Sequence, residues 1–221
     1  MRETELNLWW RFGLPIFTPL LRLLLRVRVE GSEHVPSRGS AIVAFNHVSV
    51  LDGPVIAIET ARRIRRETRF LVAAEVFRKP VIGWILRCYE QIPIRRGEAD
   101  VDALDEAIDT VKKGALAAIA PEGRVNDDAE TDLQRIRGGV ARMALPTGAP
   151  IIPVGVWGTH RRWSRAGIHL HRPFRPRVGV AFGAPILPAG DVEDRSDIDS
   201  LTERLRERLV EQVARAKQLA S

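Results

Sequence analysis

Ala41-Ile42-Val43-Ala44-Phe45-Asn46-His47-Val48-Ser49-Val50-Leu51-Asp52 carries an apolar strand-like run straight into a histidine and, five positions later, an aspartate. A neutral imidazole accepts a proton from a hydroxyl, and a carboxylate on its other nitrogen fixes the tautomer and stabilises the imidazolium that forms. The pair therefore suits attack by a substrate hydroxyl on an acyl group. Ser49 reads as a cap for the helix that follows, which would put Asp52 in or near its first turn. A His-x4-Asp spacing alone occurs by chance in many proteins, so its weight depends on the rest of the chain.

Working outward, strand-like and helix-like runs alternate from Val27 onward, the pattern of an α/β domain. The sequence predicts strands at Arg26–Glu30, Ser40–Phe45, Arg69–Ala73, Gln91–Arg95, Leu116–Ala120, Ile151–Trp157 and Arg177–Phe182. Helices are expected at Val50–Arg65, Val81–Cys88, Val101–Lys113, Gly138–Pro146 and Asp197–Leu219. The last carries Leu201, Leu205, Leu209 and Val213 at helical spacing. Cys88 lies in an apolar helix-like run and reads as a buried core thiol, and as the single cysteine it excludes an internal disulfide. Pro188–Asp199 reads as a linker.

The N-terminal region, Leu6 to Leu25, is the most apolar part of the chain, but its longest uncharged run, Phe12 to Leu21, is well below the roughly 20 residues that span a bilayer. Glu3, Glu5 and the interior arginines argue against a secretory signal peptide. Pro15 and Pro19 predict two short helices in place of one long one. Arg11, Arg22 and Arg26 fall on one side of a helical projection, with Trp9, Trp10, Phe12, Phe17 and the leucines around the remainder. That pattern suits a membrane interface, or a helical pair packed on its own domain. The boundaries expected are residues 1–25 for this segment and 26–221 for the main domain.

With 221 residues, 45% hydrophobic and 28% charged, the chain is an ordinary globular size and composition. Lys+Arg 34 against Asp+Glu 28 gives a net charge of +6, which points to an anionic partner: nucleic acid, a phospholipid surface or a phosphorylated substrate. The clusters Arg62–Arg66 and Arg161–Arg165 are open to nucleic acid, anionic lipid, an acidic carrier protein or plain surface charge. No nucleic-acid motif is present, and no nucleic acid is expected as a partner. There is no Gly-x-Ser-x-Gly elbow and no phosphate loop. His34, His160, His169 and His171 form no convincing metal set, although His169 and His171 would share a strand face. Neither metal nor cofactor is expected.

Three further segments sit at predicted strand ends, where open α/β sheets place their sites. Ile92-Pro93-Ile94-Arg95-Arg96-Gly97 ends in two cations and a glycine, Ala120-Pro121-Glu122-Gly123-Arg124 enters a turn, and Ala149-Pro150-Ile151-Ile152-Pro153-Val154 is a proline-rich apolar strand. In this order the four segments resemble the glycerolipid acyltransferase family, the lysophosphatidic acid acyltransferases and their relatives, over roughly Val27 to Thr159. The resemblance implies an α/β fold with a mixed, largely parallel sheet flanked by helices, following an N-terminal amphipathic helical segment. It implies His47 as general base and Asp52 as its orienting partner. It implies an acceptor-binding set of Asn46, Arg95, Arg96, Gly97, Glu122, Gly123 and Arg124, with Ile152 and Pro153 lining the acyl side. Glu122, beside arginines, is expected to hold their forks in place. The implied partners are acyl-CoA or acyl carrier protein as donor, a lysophospholipid acceptor, most of all 1-acylglycerol 3-phosphate, and the cytoplasmic face of a membrane, bound peripherally or monotopically.

The chain departs from the family in two places. Ala73 stands where members often carry a lysine, with Arg95 where an aspartate is common, and Arg124 follows Glu122-Gly123 without the usual threonine. Neither touches His47 or Asp52. The alternatives are a different lipid or polar acceptor, a non-catalytic basic lipid-surface protein, or a nucleic-acid-binding protein.

Overall fold

The computed structural model describes residues 6–94, 101–126, 133–170 and 174–221. The elements run α1 (Leu8–Leu24), β1 (Arg26–Glu30), β2 (Ala41–Phe45), α2 (Asp52–Ile64), β3 (Thr68–Ala73), α3 (Ala74–Phe77), α4 (Pro80–Cys88), β4 (Ile92–Ile94), α5 (Val101–Lys112), β5 (Leu116–Ile119), α6 (Gly139–Ala144), β6 (Ile151–Trp157), β7 (Trp163–Ser164), β8 (Gly167–Ile168), β9 (Arg177–Phe182) and α7 (Arg195–Leu219). The main sheet has the order β1-β9-β6-β2-β5-β3-β4, and β7 and β8 form a separate two-stranded ribbon. β6, β2, β5, β3 and β4 are parallel, while β9 runs antiparallel to β6 and carries β1 parallel to itself. The sheet is therefore mixed and largely parallel, as expected.

Residues along β2 alternate between two cores. Val43 and Phe45 join Trp10, Leu21, Val55 and Ile56 on the face covered by α1 and α2. Ile42 and Ala44 join Val111, Met143, Leu201, Leu205 and Leu209 on the face covered by α5, α6 and α7. All five residues of β2 are buried, because a strand covered on both faces has no wet side. At β6 the helix lies against the backbone itself: a Cβ on Gly155 would fall 2.1 Å from the Gln212 carbonyl oxygen of α7. Only glycine permits that approach.

The structure departs from the sequence reading at α1. One helix of 17 residues replaces the expected pair, with Pro15 and Pro19 inside it and Asn7 accepting the Trp10 N–H at 3.0 Å. Each proline removes the hydrogen bond to the carbonyl four residues back. Here the prolines are one turn apart on the exposed side, as is Arg11, so the released carbonyls of Arg11 and Pro15 emerge where a polar medium can bind them. Arg26 belongs to β1, not to the helix. Cys88 is half-buried and not a core thiol, because α4 directs Val81, Ile82 and Trp84 outward. Helix α7 starts at Arg195, capped by the Asp194 side chain, so it takes in the end of the predicted linker.

Several arginines of the basic clusters are committed to partners within the chain. Arg62 and Arg63 pair with Glu59 at 2.7 and 2.8 Å. Arg66 is buried and donates to the carbonyls of Pro36, Gly39 and Gly114. Arg162 is buried as well, donating to the carbonyls of His169 and Phe174.

Candidate active site

β6, β2 and β5 are neighbours at the centre of the sheet and run parallel, so their C-terminal ends open side by side. β2 delivers His47, β5 delivers Glu122 and β6 delivers Thr159. His47 Nδ1 lies 3.0 Å from Asp52 Oδ2. A carboxylate oxygen only accepts, so Nδ1 carries the proton and Nε2 keeps the basic lone pair. The His47 side chain is 20% exposed and that of Asp52 is fully enclosed. Substrate can thus reach the imidazole while the aspartate stays dry.

Asp52 is held more firmly than a lone orienting group needs. Its Oδ2 accepts the N–H of Val48 at 2.7 Å and of Ser49 at 2.8 Å. Its Oδ1 accepts the Thr159 hydroxyl at 2.5 Å. The residue opens α2, where the positive end of the helix dipole also favours a carboxylate. Thr159 was missed from sequence, since it lies 107 positions from Asp52 and only the sheet order brings them together. Gly158, at φ 93°, turns the chain there, and a Cβ would strike the Arg177 carbonyl oxygen at 2.2 Å. Replacing Thr159 with valine removes a buried bond to a charged group. A loss of about 1.5–3 kcal/mol in unfolding free energy is expected, measured by urea denaturation.

Ser49 does not cap α2 through its side chain. Its hydroxyl donates to the Trp163 carbonyl and accepts the Leu51 N–H at 3.0 Å. The Asp52 carboxylate takes the turn's N–H groups instead, and the bond to Trp163 commits the serine hydroxyl away from nucleophilic work.

Glu122 holds backbone groups. It is buried, and its two oxygens accept the N–H of His47 at 2.8 Å and of Gln134 at 3.2 Å. The Asn126 N–H donates to the His47 carbonyl at 2.6 Å, and Gln134 Nε2 donates to Asn126 Oδ1 at 2.9 Å. The peptide groups on both sides of His47 are thus fixed by the loop after β5. Asn126 and Gln134 carried no sequence signal, as they lie past the motif. Burial pushes the Glu122 carboxyl above its ordinary value of 4.5, against the backbone N–H donors from His47 and Gln134. A carboxyl raised in the folded state adds stability that is complete below its unfolded pKa and is lost as pH rises through its folded pKa. The stability of the native chain relative to Glu122→Gln should therefore fall as pH rises above 4.5. Urea unfolding across pH checks this; a difference that grows with pH would mean the N–H donors outweigh burial.

The remaining expected residues separate into three groups. Asn46 is buried, donating to the Val156 carbonyl at 3.0 Å and accepting the Val156 N–H at 2.7 Å. It clamps β2 to β6 beneath His47. Ile152 is fully buried in the core beside Val43 and Phe45. Pro153 sits buried in β6, its carbonyl accepting the Gly183 N–H at 2.8 Å. Neither presents an open wall for an acyl chain. Gly123 and Arg124 lie exposed at the rim, with Arg124 Nε donating to Gln134 Oε1 at 3.2 Å. Arg137, a cation the sequence did not single out, lies over Gly123, where a Cβ would approach its Cζ to 3.7 Å. Arg95, Arg96 and Gly97 lie outside the described residues, as does His171. β4 runs parallel to β3, so its end at Ile94 lies on the side of the sheet where β2 and β5 end. His169 lies beyond β8, bonded to Ser164 Oγ at 2.8 Å, and so is not part of a strand.

A largely parallel sheet flanked by helices, with a histidine–carboxylate pair at the end of its central strands, defines a class of α/β proteins. The chain belongs to the acyltransferase family, whose model matches residues 26–157. It is 29% identical over 137 residues to the chloroplastic 1-acyl-sn-glycerol-3-phosphate acyltransferase LPAT1 of Arabidopsis thaliana, covering 61% of this chain and 36% of the relative. It is 34% identical over 163 residues to an uncharacterized protein of Mycobacterium leprae, covering 67% of this chain and 42% of the relative. The chain thus spans about two fifths of the length of these relatives. The crystal structure of the 1-acyl-sn-glycerophosphate (LPA) acyltransferase PlsC from Thermotoga maritima superposes with a TM-score of 0.69 at 24% identity, covering 93% of this chain and 81% of that one. The fold is shared.

Proposed function

We propose that the protein transfers a fatty acyl group from a thioester, acyl-CoA or acyl carrier protein, to the hydroxyl of a lysophospholipid, with 1-acylglycerol 3-phosphate as the leading acceptor. The observation that carries the reading is the fixed His47–Asp52 contact at 3.0 Å, at the sheet end where β2, β5 and β6 finish side by side. The acceptor reading draws on the relative named for that substrate.

In this reading His47 Nε2 takes the acceptor's hydroxyl proton as the oxygen attacks the thioester carbonyl. Asp52 stabilises the imidazolium, and protonated His47 returns the proton to the departing thiolate. With the Ser49 hydroxyl committed elsewhere, transfer is direct, through a ternary complex. The acceptor phosphate is assigned to Arg96 and the rim cations Arg124 and Arg137, whose guanidinium forks match phosphate geometry. Replacing Arg96 is expected to weaken phosphate-bearing lysolipids more than neutral ones in a panel assay; equal losses would make it structural. A different head group is the second reading, favoured by Ala73 in place of the family's lysine.

Residues 1–25 are assigned to the membrane, at its cytoplasmic face, and residues 26–221 to catalysis. No helix among the described residues is long and apolar enough to cross a bilayer. Yet α1 exposes Leu8, Phe12, Ile16 and Leu23, and α4 exposes Val81 and Trp84. The two helices are joined by an edge contact of Trp9 on Trp84 at 5.1 Å and by the Tyr89 hydroxyl on the Trp9 carbonyl at 3.0 Å. One apolar surface built from two helices suits insertion into the headgroup boundary.

A further inference from the structure

A cluster of positive charge surrounds a cavity that His47 and Asp52 do not line. Arg26, Arg161, Arg175, Arg177 and Lys217, with Ala220 and Ser221, line a cavity of about 480 Å³. These cations come from the start of β1, the turn after β6, the approach to and start of β9, and the end of α7. No aspartate or glutamate side chain lines the cavity. Five like charges in one cavity repel one another, and an anion between them relieves that repulsion.

Several of the cations are held in place. Arg175 donates to the Arg22 carbonyl in the last turn of α1, while its Nε–H is buried without an acceptor among the described residues. Arg177 donates to the Ser221 carbonyl. Lys217 Nζ rests 4.2 Å from the centre of the Trp157 ring.

The topology places the cavity. β9 and β1 run opposite to β6, so their starts meet the C-terminal end of β6, where Thr159 reaches Asp52. Helix α1 ends at the same place, immediately before Arg26. We propose that this cavity binds the phosphate of an anionic phospholipid head group, at a site separate from the acceptor at His47. The assignment rests on the membrane reading of α1 above. Guanidinium forks and an ammonium are phosphate chemistry. Trp157, the ring against Lys217, is buried. It offers no open face for a nucleotide base to stack upon.

The test uses the full chain and sedimentation with vesicles of phosphatidylcholine alone or mixed with phosphatidylglycerol. R26Q/R161Q should lose roughly tenfold or more of its affinity for the anionic vesicles and keep its binding to the neutral ones. The charge-matched control R204Q/R208Q, on exposed positions of α7, should change by less than about twofold, since it removes no cavity cation. Equal losses for both variants would mean general surface charge and overturn the site, as would no loss for R26Q/R161Q. A second arm measures adenosine 3′,5′-bisphosphate binding in solution. If R26Q/R161Q weakens only that ligand, the cavity takes a nucleotide phosphate and the lipid assignment is wrong. Wild type binding neutral and anionic vesicles equally would defeat the proposal and leave the membrane reading standing; wild type binding neither would defeat both.

Discussion

His47→Ala is expected to lower kcat/KM for acyl transfer by about 10²–10⁴-fold, the usual contribution of a positioned general base. The fold should survive. The contacts that fix this residue's backbone, from Glu122 and Asn126, do not involve the imidazole. The Asp52 carboxylate keeps three of its donors, the N–H groups of Val48 and Ser49 and the Thr159 hydroxyl. Circular dichroism and urea denaturation of the variant should therefore resemble those of the native chain, while the rate collapses. A parallel loss of stability and rate would make His47 a structural residue.

The second large effect is at Asp52, where two substitutions separate chemistry from folding. Asp52→Asn keeps an oxygen at the Oδ2 position for Val48, Ser49 and His47. Its new NH₂ group faces the Thr159 hydroxyl, which can rotate to accept it. The protein stays folded but has no negative charge against the imidazolium. Activity should fall by roughly 10²–10⁴-fold. Asp52→Ala strands two buried N–H groups at about 1–3 kcal/mol each and should lose stability as well. Because the histidine and the aspartate act as one unit, His47→Ala/Asp52→Asn should be scarcely slower than His47→Ala alone.

The strands were legible because each is a short apolar run bounded by polar or turn residues: Arg26–Glu30, Ile151–Trp157 and Arg177–Phe182 occur where the sequence places them. The His47–Asp52 contact was legible because both partners lie on one turn. Thr159 was not, because its partnership with Asp52 depends on β6 lying beside β2. Glu122 was legible as a strand-end residue, but its hold on the His47 backbone was not. Sequence showed Arg124 nearby but not that the backbone of His47 would lie against the carboxylate. The apolar run of α4 has the same pattern whether it faces a core or the outside, so Cys88 was misjudged with it. At α1 the prolines interrupt the hydrogen-bond ladder only on the exposed side of the helix, and which side that is depends on packing that sequence does not display.

The most direct measurement incubates the purified chain with an acyl thioester and 1-acylglycerol 3-phosphate and follows thiol release together with the ester product. The account predicts phosphatidate and free thiol in equal amounts, both abolished in His47→Ala. Thiol release without new ester, or turnover that persists in His47→Ala, would contradict it.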